Sequence, residues 1–300
     1  RHNAYQTREW GAFVWAWLGN EDDIPEFQPP AFAPTADTKV SVTKIRIPAN
    51  WAQIMEGQID SSHSSSLHSS DMVPAKVEGA AADDKAWYRP STDRSPRMQV
   101  ERTDYGFHYA AVRHPIKHPT LNEYFRVTEY IAPFTCLIPP NSSYNVTTVV
   151  VPIDDKNSIL NFIAWGGETC PDAAEWRRFN HSVPGEDLDE NWLSKRQPEN
   201  RFLQDRALMK QGNFTGVPGI PNQDIIMWVS MGAIVDRTTD TLGASDMAVV
   251  EFRKLMVDAA KTMEAGGEAL GSKSVLKHTQ IKSYEGVHSK ETDWKTLCRN

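Results

Sequence analysis

Three stretches of the chain decide its fold: GFHYAAV at residues 106–112, YFRVTEY at 124–130 and TTVVV at 147–151. Each is rich in β-branched and aromatic residues, which are enriched in strands, and turn-forming residues separate the stretches. A fourth run of the same kind follows at 159–165. This series of strands and turns predicts an antiparallel sheet.

The segment that precedes these strands predicts further strands and a helix. Residues 11–19 are short, aromatic and bounded by glycines, which indicates a buried strand. Residues 40–47 alternate apolar and polar side chains, as a half-buried strand does. Asn50 can then cap a helix. The apolar positions of that helix are Trp51, Ile54, Met55 and Ile59.

The clearest helix lies near the C-terminus, at residues 245–265, with Ser245 as the expected N-cap and Gly266 just past its end. One stripe of this helix is apolar and contains Ala248, Phe252, Leu255, Ala259 and Met263. Strands and helices together predict an α+β fold, an antiparallel sheet flanked by helices in the manner of helix-grip proteins. Residues 1–300 are expected to form one domain.

The composition narrows the functional class. With 300 residues, 40% of them hydrophobic, the chain can bury a sizeable core without disulfides. A net charge of −7 argues against a partner such as duplex nucleic acid, which requires a basic surface. No apolar run is long enough to cross a bilayer, so no membrane partner is expected. Three widely spaced cysteines and no signal segment favour a reducing, cytoplasmic setting.

A group of polar residues directly follows the first helix. Asp60, His63 and His68 lie within nine residues, and Asp60 and His63 share a helical face. His68 follows His63 by five residues, one more than the spacing of four that places side chains on the same face of a helix, and the extra residue turns His68 away by about 100°. Both histidines can therefore reach one ion only through an irregular turn. Two histidines and one carboxylate would leave positions open on iron for O2 and substrate. Spacing does not choose the third ligand among 39 acidic residues.

The stretch NWAQIMEGQIDSSHSSSLH at 50–68 resembles the mononuclear-iron motif of Rieske non-haem iron oxygenase α-subunits, especially the phthalate dioxygenase branch. Further similar stretches are NFTGVPGIPNQD at 213–224, MGAIVDRT at 231–238, LGASD at 242–246 and YQTREWGAFVW at 5–15. The resemblance implies that Asp224 ligates Fe(II) beside His63 and His68. It also implies that Asp60 is a catalytic bridge from a ligand histidine to the Rieske cluster of a neighbouring subunit, where its carboxylate would orient the imidazole.

Two features depart from this family. Gly57 and Gln58 stand in a region where many relatives carry an Asn. Moreover, no cysteine has a histidine two or three residues further on, so residues 1–300 lack the Cys-x-His and Cys-x2-His pairs that hold the 2Fe-2S Rieske cluster. We therefore expect that cluster in an N-terminal domain of roughly 100 residues upstream of this chain. The alternative is a catalytic domain without its own electron entry.

The resemblance implies an aromatic carboxylate substrate, and a carboxylate in an apolar pocket calls for arginine. Arg89 and Arg126 lie among aromatic residues in the sheet region and are the expected substrate-binding residues. For each, a surface salt bridge or a stem packed along the sheet is the alternative role. Weaker candidates are Arg94, Arg97 and Arg113.

The implied reaction is reductive activation of O2 at Fe(II) and cis-dihydroxylation of the ring, with electrons from NADH that pass through a reductase and the Rieske cluster. The resemblance also implies a homotrimer or a hexamer of stacked trimers. O-demethylation or another monooxygenation is an alternative on the same scaffold. An iron-free helix-grip ligand-binding protein, with His63 and His68 as polar pocket residues, is an alternative of another class. A zinc hydrolase would need a base and oxyanion donors that the sequence does not identify.

Overall fold

The computed structural model describes residues 4–19, 21–74, 87–140, 143–272 and 276–298. Its strands are β1 (Thr7–Trp10), β2 (Phe13–Ala16), β3 (Lys39–Ile47), β4 (Met72–Pro74), β5 (Trp87–Arg89), β6 (Arg97–Thr103), β7 (Gly106–Arg113), β8 (Asn122–Ile131), β9 (Thr135–Ile138), β10 (Asn145–Asp154), β11 (Asn157–Gly166) and β12 (Tyr284–Ser289). Its α-helices are α1 (Trp51–Gln58), α2 (Ala173–Phe179), α3 (Arg206–Lys210), α4 (Ile220–Ser230) and α5 (Met247–Glu264).

The three decisive stretches and the run at 159–165 are strands of one antiparallel sheet, as predicted. The strand order is β3-β11-β10-β9-β8-β7-β6, and every neighbouring pair is antiparallel. β8 is long enough to take two partners along one edge, because β12 pairs with residues 122–127 and β9 with residues 129–131. The predicted strand at 40–47 is β3, whose burial alternates along its length.

The predicted helices α1 and α5 contribute to one core on one face of this sheet. α4, for which no helix is predicted from the sequence, contributes to the same core. Asn50 caps α1, since its side chain accepts the N–H of Ala52 at 3.0 Å. Ile54 and Met55 of α1 are fully buried in this core. The ring of Trp51 meets that of Phe252 of α5 edge to face, with 6.0 Å between their centroids. This packing holds α1 on the core, and the polar group at residues 60–68 follows the C-terminal end of the helix.

The other face of the sheet is covered by segments from both ends of the chain. Phe32 and Ala33 pack against Val149 and Ile163 on this face. Trp294 covers the neighbouring strands β7 and β8. The centre of the sheet is therefore buried on both faces, as the fully buried strand β7 shows. No helix in the described ranges combines the length and apolar character needed to span a membrane.

The prediction of one buried strand at residues 11–19 is wrong. Gly11 and Ala12 both have positive φ, +59° and +65°, and form the two-residue turn of a hairpin between β1 and β2. Val14 is 70% exposed, because a two-stranded hairpin buries only one of its faces. Gly11, predicted to mark the boundary of a strand, is instead the first of the two turn residues.

The C-terminal helix is confirmed, but its start and its buried length differ from the prediction. α5 begins after Asp246, and Ser245 lies in a preceding 3₁₀ turn. Phe252 and Leu255 of the predicted stripe are buried, whereas Met263 is 51% exposed. The apolar stripe therefore extends beyond the part of the helix that packs on the core.

Candidate metal centre

His63 and His68 lie in a tight turn that follows α1. A 3₁₀ turn spans His63–Ser65, and the N–H of Leu67 then donates to the carbonyl of His63 at 2.8 Å. This is the irregular turn that the five-residue spacing requires. It brings the Nε2 atoms of the two imidazoles within 3.1 Å of each other.

Asp224 lies in the first half of α4 and completes the group. Its Oδ1 is 3.1 Å from Nε2 of His68 and 3.5 Å from Nε2 of His63. Bonds of about 2.1 Å at right angles around one ion would place neighbouring ligand atoms about 3 Å apart. The three side chains therefore fit a mononuclear metal ion, and two histidines with one carboxylate leave its other positions open.

Asp60 lies at the opposite ring nitrogen of His63. Its Oδ2 is 3.4 Å from Nδ1 of His63, and its Oδ1 accepts the N–H of Ser62 at 2.6 Å. Burial alone would raise the pKa of Asp60, but these contacts with His63 and Ser62 hold it below its usual value. Burial would likewise lower the pKa of His63, whereas Asp60 and Asp224 raise it. Asp60 is thus placed to orient His63.

The candidate centre opens onto a surface cleft of about 500 Å³ that is lined by Asp60, His63 and Asp224. The Asp60 side chain is 24% exposed and that of His63 is 26% exposed, whereas that of His68 is 3% exposed. One side of the site is therefore accessible from solvent through Asp60 and His63, and the other is enclosed in the fold.

The Nδ1 of His68 is held by residues from distant parts of the chain. It lies 2.7 Å from Oε1 of Gln223. The amide nitrogen of Gln223 in turn donates to Asp71 at 2.8 Å and to the carbonyl of Val217 at 2.9 Å. Sequence reasoning missed Gln223, because 155 residues separate it from His68 and no local pattern joins the two.

Three arginines form a buried cluster beside the metal group. Arg89, Arg113 and Arg126 are at most 5% exposed. Burial, followed by repulsion from Arg126, lowers the pKa of Arg89 to about 9 and that of Arg113 to about 10. Within the described ranges, Glu285 forms a salt bridge with this cluster, at 2.6 Å from Arg126. The side chains at 87–88, expected to flank Arg89, lie outside the described residues.

This arginine cluster contacts the turn that carries His63. Arg113 donates to the carbonyl of Ser61 at 2.8 Å, and Arg89 donates to the hydroxyl of Ser64 at 3.1 Å. Nε of Arg89 and both Nε and Nη1 of Arg113 are buried without a hydrogen-bond partner among the described residues. Donors of this kind are costly to bury unpaired, so the cluster is suited to an anionic ligand.

The structure brings together Arg89 and Arg126, the two arginines favoured from the sequence. It also places Arg113, a weaker candidate, in the same cluster. Arg113 follows Tyr109 by four residues on β7, so both point to the same face of the sheet. This alternation was the signal in the sequence that could have identified it. Arg97, in contrast, is 59% exposed and pairs with Glu123. Arg94 is also exposed, so neither belongs to the cluster.

Comparison with known proteins gives a consistent set of relatives. A family described as LigXa C-terminal domain like matches residues 16–299. The phthalate 4,5-dioxygenase oxygenase subunit of Pseudomonas putida is 55% identical over 296 residues, which cover 98% of this chain and 67% of that relative. The 3-chlorobenzoate-3,4-dioxygenase oxygenase subunit of Comamonas testosteroni is 28% identical over 311 residues, which cover 97% and 69%.

A third, more distant relative has a different printed activity. The 5,5'-dehydrodivanillate O-demethylase oxygenase subunit of a Sphingobium species is 23% identical over 263 residues, which cover 85% of this chain and 51% of that relative. The chain thus spans about two thirds of the length of the first two relatives and about half of the third.

Proposed function

The chain belongs to the Rieske non-haem iron oxygenases of the LigXa C-terminal domain-like type, and on this premise we propose that it is their iron-binding catalytic domain, specific for a phthalate or similar aromatic carboxylate. The proposed reaction is cis-dihydroxylation of the aromatic ring with O2. The observation that carries the proposal is the convergence of His63, His68 and Asp224. Two of the similar proteins are named as dioxygenases of aromatic acids.

In the proposed site, the two Nε2 atoms and one oxygen of Asp224 hold Fe(II), which when bound supplies the activation of O2. Asp60 keeps the proton of His63 on Nδ1 and so leaves Nε2 for the metal. The buried position of His68 and the packing of α4 restrict solvent on the inner side of the site. The protein's own contribution is therefore orientation of the ligands and exclusion of water.

The arginine cluster supports an anionic aromatic substrate. Arg89, Arg113 and Arg126 bring three guanidinium groups together, and among the described residues the carboxylate that forms a salt bridge with them is that of Glu285. A bound aromatic carboxylate would pair with arginine donors that have no hydrogen-bond partner among the residues the structure describes. Because the cluster contacts the turn of His63, the carboxylate would hold the ring close to the metal. We include Arg113 in the binding site with the two arginines expected from the sequence.

Electrons in this proposal come from NADH through a separate reductase and a 2Fe-2S Rieske cluster. Cys136 and Cys170 are buried within the fold, and no cysteine of residues 1–300 has the required histidine spacing, so the cluster lies outside these residues. Asp60, exposed at the cleft, is the proposed bridge from His63 to the cluster of a neighbouring subunit in a trimer or stacked trimers. We propose a cytoplasmic location for this assembly.

The experiment that tests the function measures iron content and products of the full-length protein with phthalate, O2, NADH and a reductase. We expect iron and a cis-diol from the unmodified protein, and loss of both in His63→Ala. His114→Ala is the matched control, because His114 also contacts a carboxylate, that of Asp93 at 2.9 Å, but is 63% exposed and outside the site. It should retain iron and diol.

Other results would favour the alternatives. A phenol and an aldehyde from a methoxylated aromatic acid, with no diol from phthalate, would favour O-demethylation, the activity named for the relative at 23% identity. Absence of iron, with unchanged ligand affinity in His63→Ala, would favour a metal-free ligand-binding protein and contradict the proposal.

A further inference from the structure

His68 can ligate a metal through Nε2 only if that atom carries no proton. In a neutral imidazole the proton sits on one of the two nitrogens, and the partner of the other nitrogen decides which. Here Nδ1 of His68 lies 2.7 Å from Oε1 of Gln223. The orientation of the Gln223 amide therefore determines whether His68 is a ligand.

The amide of Gln223 has one acceptable orientation. Its Nε2 is 2.9 Å from the carbonyl of Val217, which can only accept a hydrogen bond, and 2.8 Å from Oδ2 of Asp71. A reversed amide would place Oε1 against both of these oxygens and lose both hydrogen bonds. Oε1 must therefore face His68, and Nδ1 of His68 must carry the proton.

This arrangement is held rigidly. Gln223 is 2% exposed and immediately precedes the proposed ligand Asp224 on α4. The loop before α4 is tied to the turn after His68, because the N–H of Phe214 donates to the hydroxyl of Ser70 at 2.8 Å. The same docking of α4 thus positions Asp224 and the residue that orients His68.

We propose that Gln223 is a positioning residue that holds His68 as the Nδ1–H tautomer and thereby sets the affinity of the His63–His68–Asp224 site for Fe(II). This inference rests on the proposed function, since it requires that these three residues bind iron. Val217 and Asp71 act through Gln223 by fixing its amide. Residues that orient a ligand histidine typically change metal affinity by 10–100-fold when mutated, as a rough scale.

The first test is anaerobic titration of the metal-free, full-length protein with Fe(II). Gln223→Met keeps the length of the side chain and removes its hydrogen bonds, so we expect Fe(II) to bind about 10–100-fold more weakly. The Fe(II)-dependent rise in melting temperature should shrink in parallel. A merely structural role would lower the melting temperature of the metal-free protein and leave the affinity unchanged.

Asn161→Leu is the matched control. Asn161 is also buried, at 6% exposure, but its amide donates to the carbonyl of Val149 at 3.2 Å, and it shares with Ile163 the face of the sheet opposite α1 and α4. Its loss should destabilise the metal-free protein without weakening Fe(II) binding. Equal affinities in Gln223→Met and Asn161→Leu would overturn the inference.

A second test needs no Gln223 variant and decides the matter if Gln223→Met does not fold. In ¹⁵N-histidine-labelled, metal-free protein, the long-range ¹H–¹⁵N couplings distinguish the two tautomers, and the signals of His68 are identified by their loss in His68→Asn. We expect Nδ1–H, and an Nε2–H tautomer would overturn the inference. Failure of the unmodified protein to bind Fe(II) would overturn the proposed site as well, whereas normal binding with an unchanged Gln223→Met overturns the inference alone.

Discussion

The buried arginines show what single residues contribute at this site. In the part of the chain that the structure describes, Arg126 forms a salt bridge with Glu285, whereas Arg89 donates to the hydroxyls of Ser64 and Ser65 and to the sulfur of Met72. Removal of Arg126 would therefore take the cation away from a partly buried carboxylate, that of Glu285, which is a structural defect in its own right. Arg89 is the residue at which substrate binding is tested most directly.

Arg89→Ala should raise the apparent KM for a phthalate by about 10–100-fold, since one hydrogen bond to a charged group contributes about 1.5–3 kcal/mol. The KM for an uncharged aromatic of similar size should change far less. Steady-state kinetics with both substrates measures this preference. Arg97→Ala is the control, because Arg97 is 59% exposed and pairs with Glu123 at the surface. An unchanged preference in Arg89→Ala would remove Arg89 from the binding site.

At the scale of elements, the candidate centre depends on the contact between α1 and α4. α1 leads into the turn of His63 and His68, and α4 carries Asp224. The two helices meet closely at Gly57, where an added Cβ would lie 2.4 Å from Nε1 of Trp228. Gly57 belongs to the region where the sequence departs from many relatives. The structure gives a reason for a glycine there, namely the close approach of the Trp228 ring.

Gly57→Ala should lower the free energy of unfolding by about 1–3 kcal/mol, because the methyl group would overpack the contact between the helices. In an open helix the same change would stabilise by about 1 kcal/mol. Urea unfolding gives the sign of the change in the free energy of unfolding. Fe(II) titration should show weaker binding, since displaced helices misplace Asp224. Gly167→Ala, where nothing lies within 4 Å of the new Cβ, should be close to neutral. A stabilised Gly57→Ala would contradict the packing argument.

At the scale of the whole molecule, the C-terminal segment contacts the outer face of the sheet at a cluster of ionisable groups, of which His108 and Glu129 are buried and Glu101 and Lys295 are partly exposed. His108 of β7 contacts Glu101 at 3.0 Å and Glu129 at 3.3 Å, one at each ring nitrogen. Lys295 pairs with Glu101 at 3.0 Å, and the ring of Trp294 lies 5.0 Å from that of His108. Other groups complete this cluster: the hydroxyl of Tyr105 donates to Glu129, and Cys298 lies beside it.

Stability should decrease as pH rises above about 6.5, the ordinary pKa of histidine. Burial alone would lower the pKa of His108, but hydrogen bonds to Glu129 and Glu101 outweigh it and raise the pKa. The folded state therefore holds this proton more tightly than the unfolded state. The contribution of this proton to the free energy of unfolding is complete below the pKa of His108 in the unfolded state. It is lost as the pH rises through the pKa of His108 in the folded state. Each unit of difference between the folded and the unfolded pKa of His108 corresponds to about 1.4 kcal/mol of stability.

Urea unfolding at pH values from about 6 to about 9 measures this effect, because that interval contains both the ordinary and a raised histidine pKa. His108→Gln should be less stable than the unmodified protein at the acidic end, and the difference should narrow toward the alkaline end. His118→Gln, at an exposed position, should leave the slope unchanged. A constant difference between His108→Gln and the unmodified protein would show that the proton on His108 does not stabilise the fold.

The sheet, α1 with its Asn50 cap, and the turn that joins His63 and His68 could all be predicted from the sequence. These features depend on local causes: the alternation of side chains along a strand, the capping of a helix end, and the distance that five residues can span. Asp224 can be predicted as the third metal ligand only from the family resemblance, because no spacing rule links it to His63 and His68, more than 150 positions away.

Only the tertiary structure decided which polar groups support the site. Gln223 reaches His68 because α4 docks against the turn after α1. Arg113 and Arg126 become neighbours because β7 and β8 pair with Arg113 opposite Tyr124 and Arg126 opposite Ala111. The hairpin turn at Gly11 likewise depends on backbone angles that an aromatic pattern does not reveal. Such contacts join residues far apart in the chain, so their energies arise only when the whole core is packed.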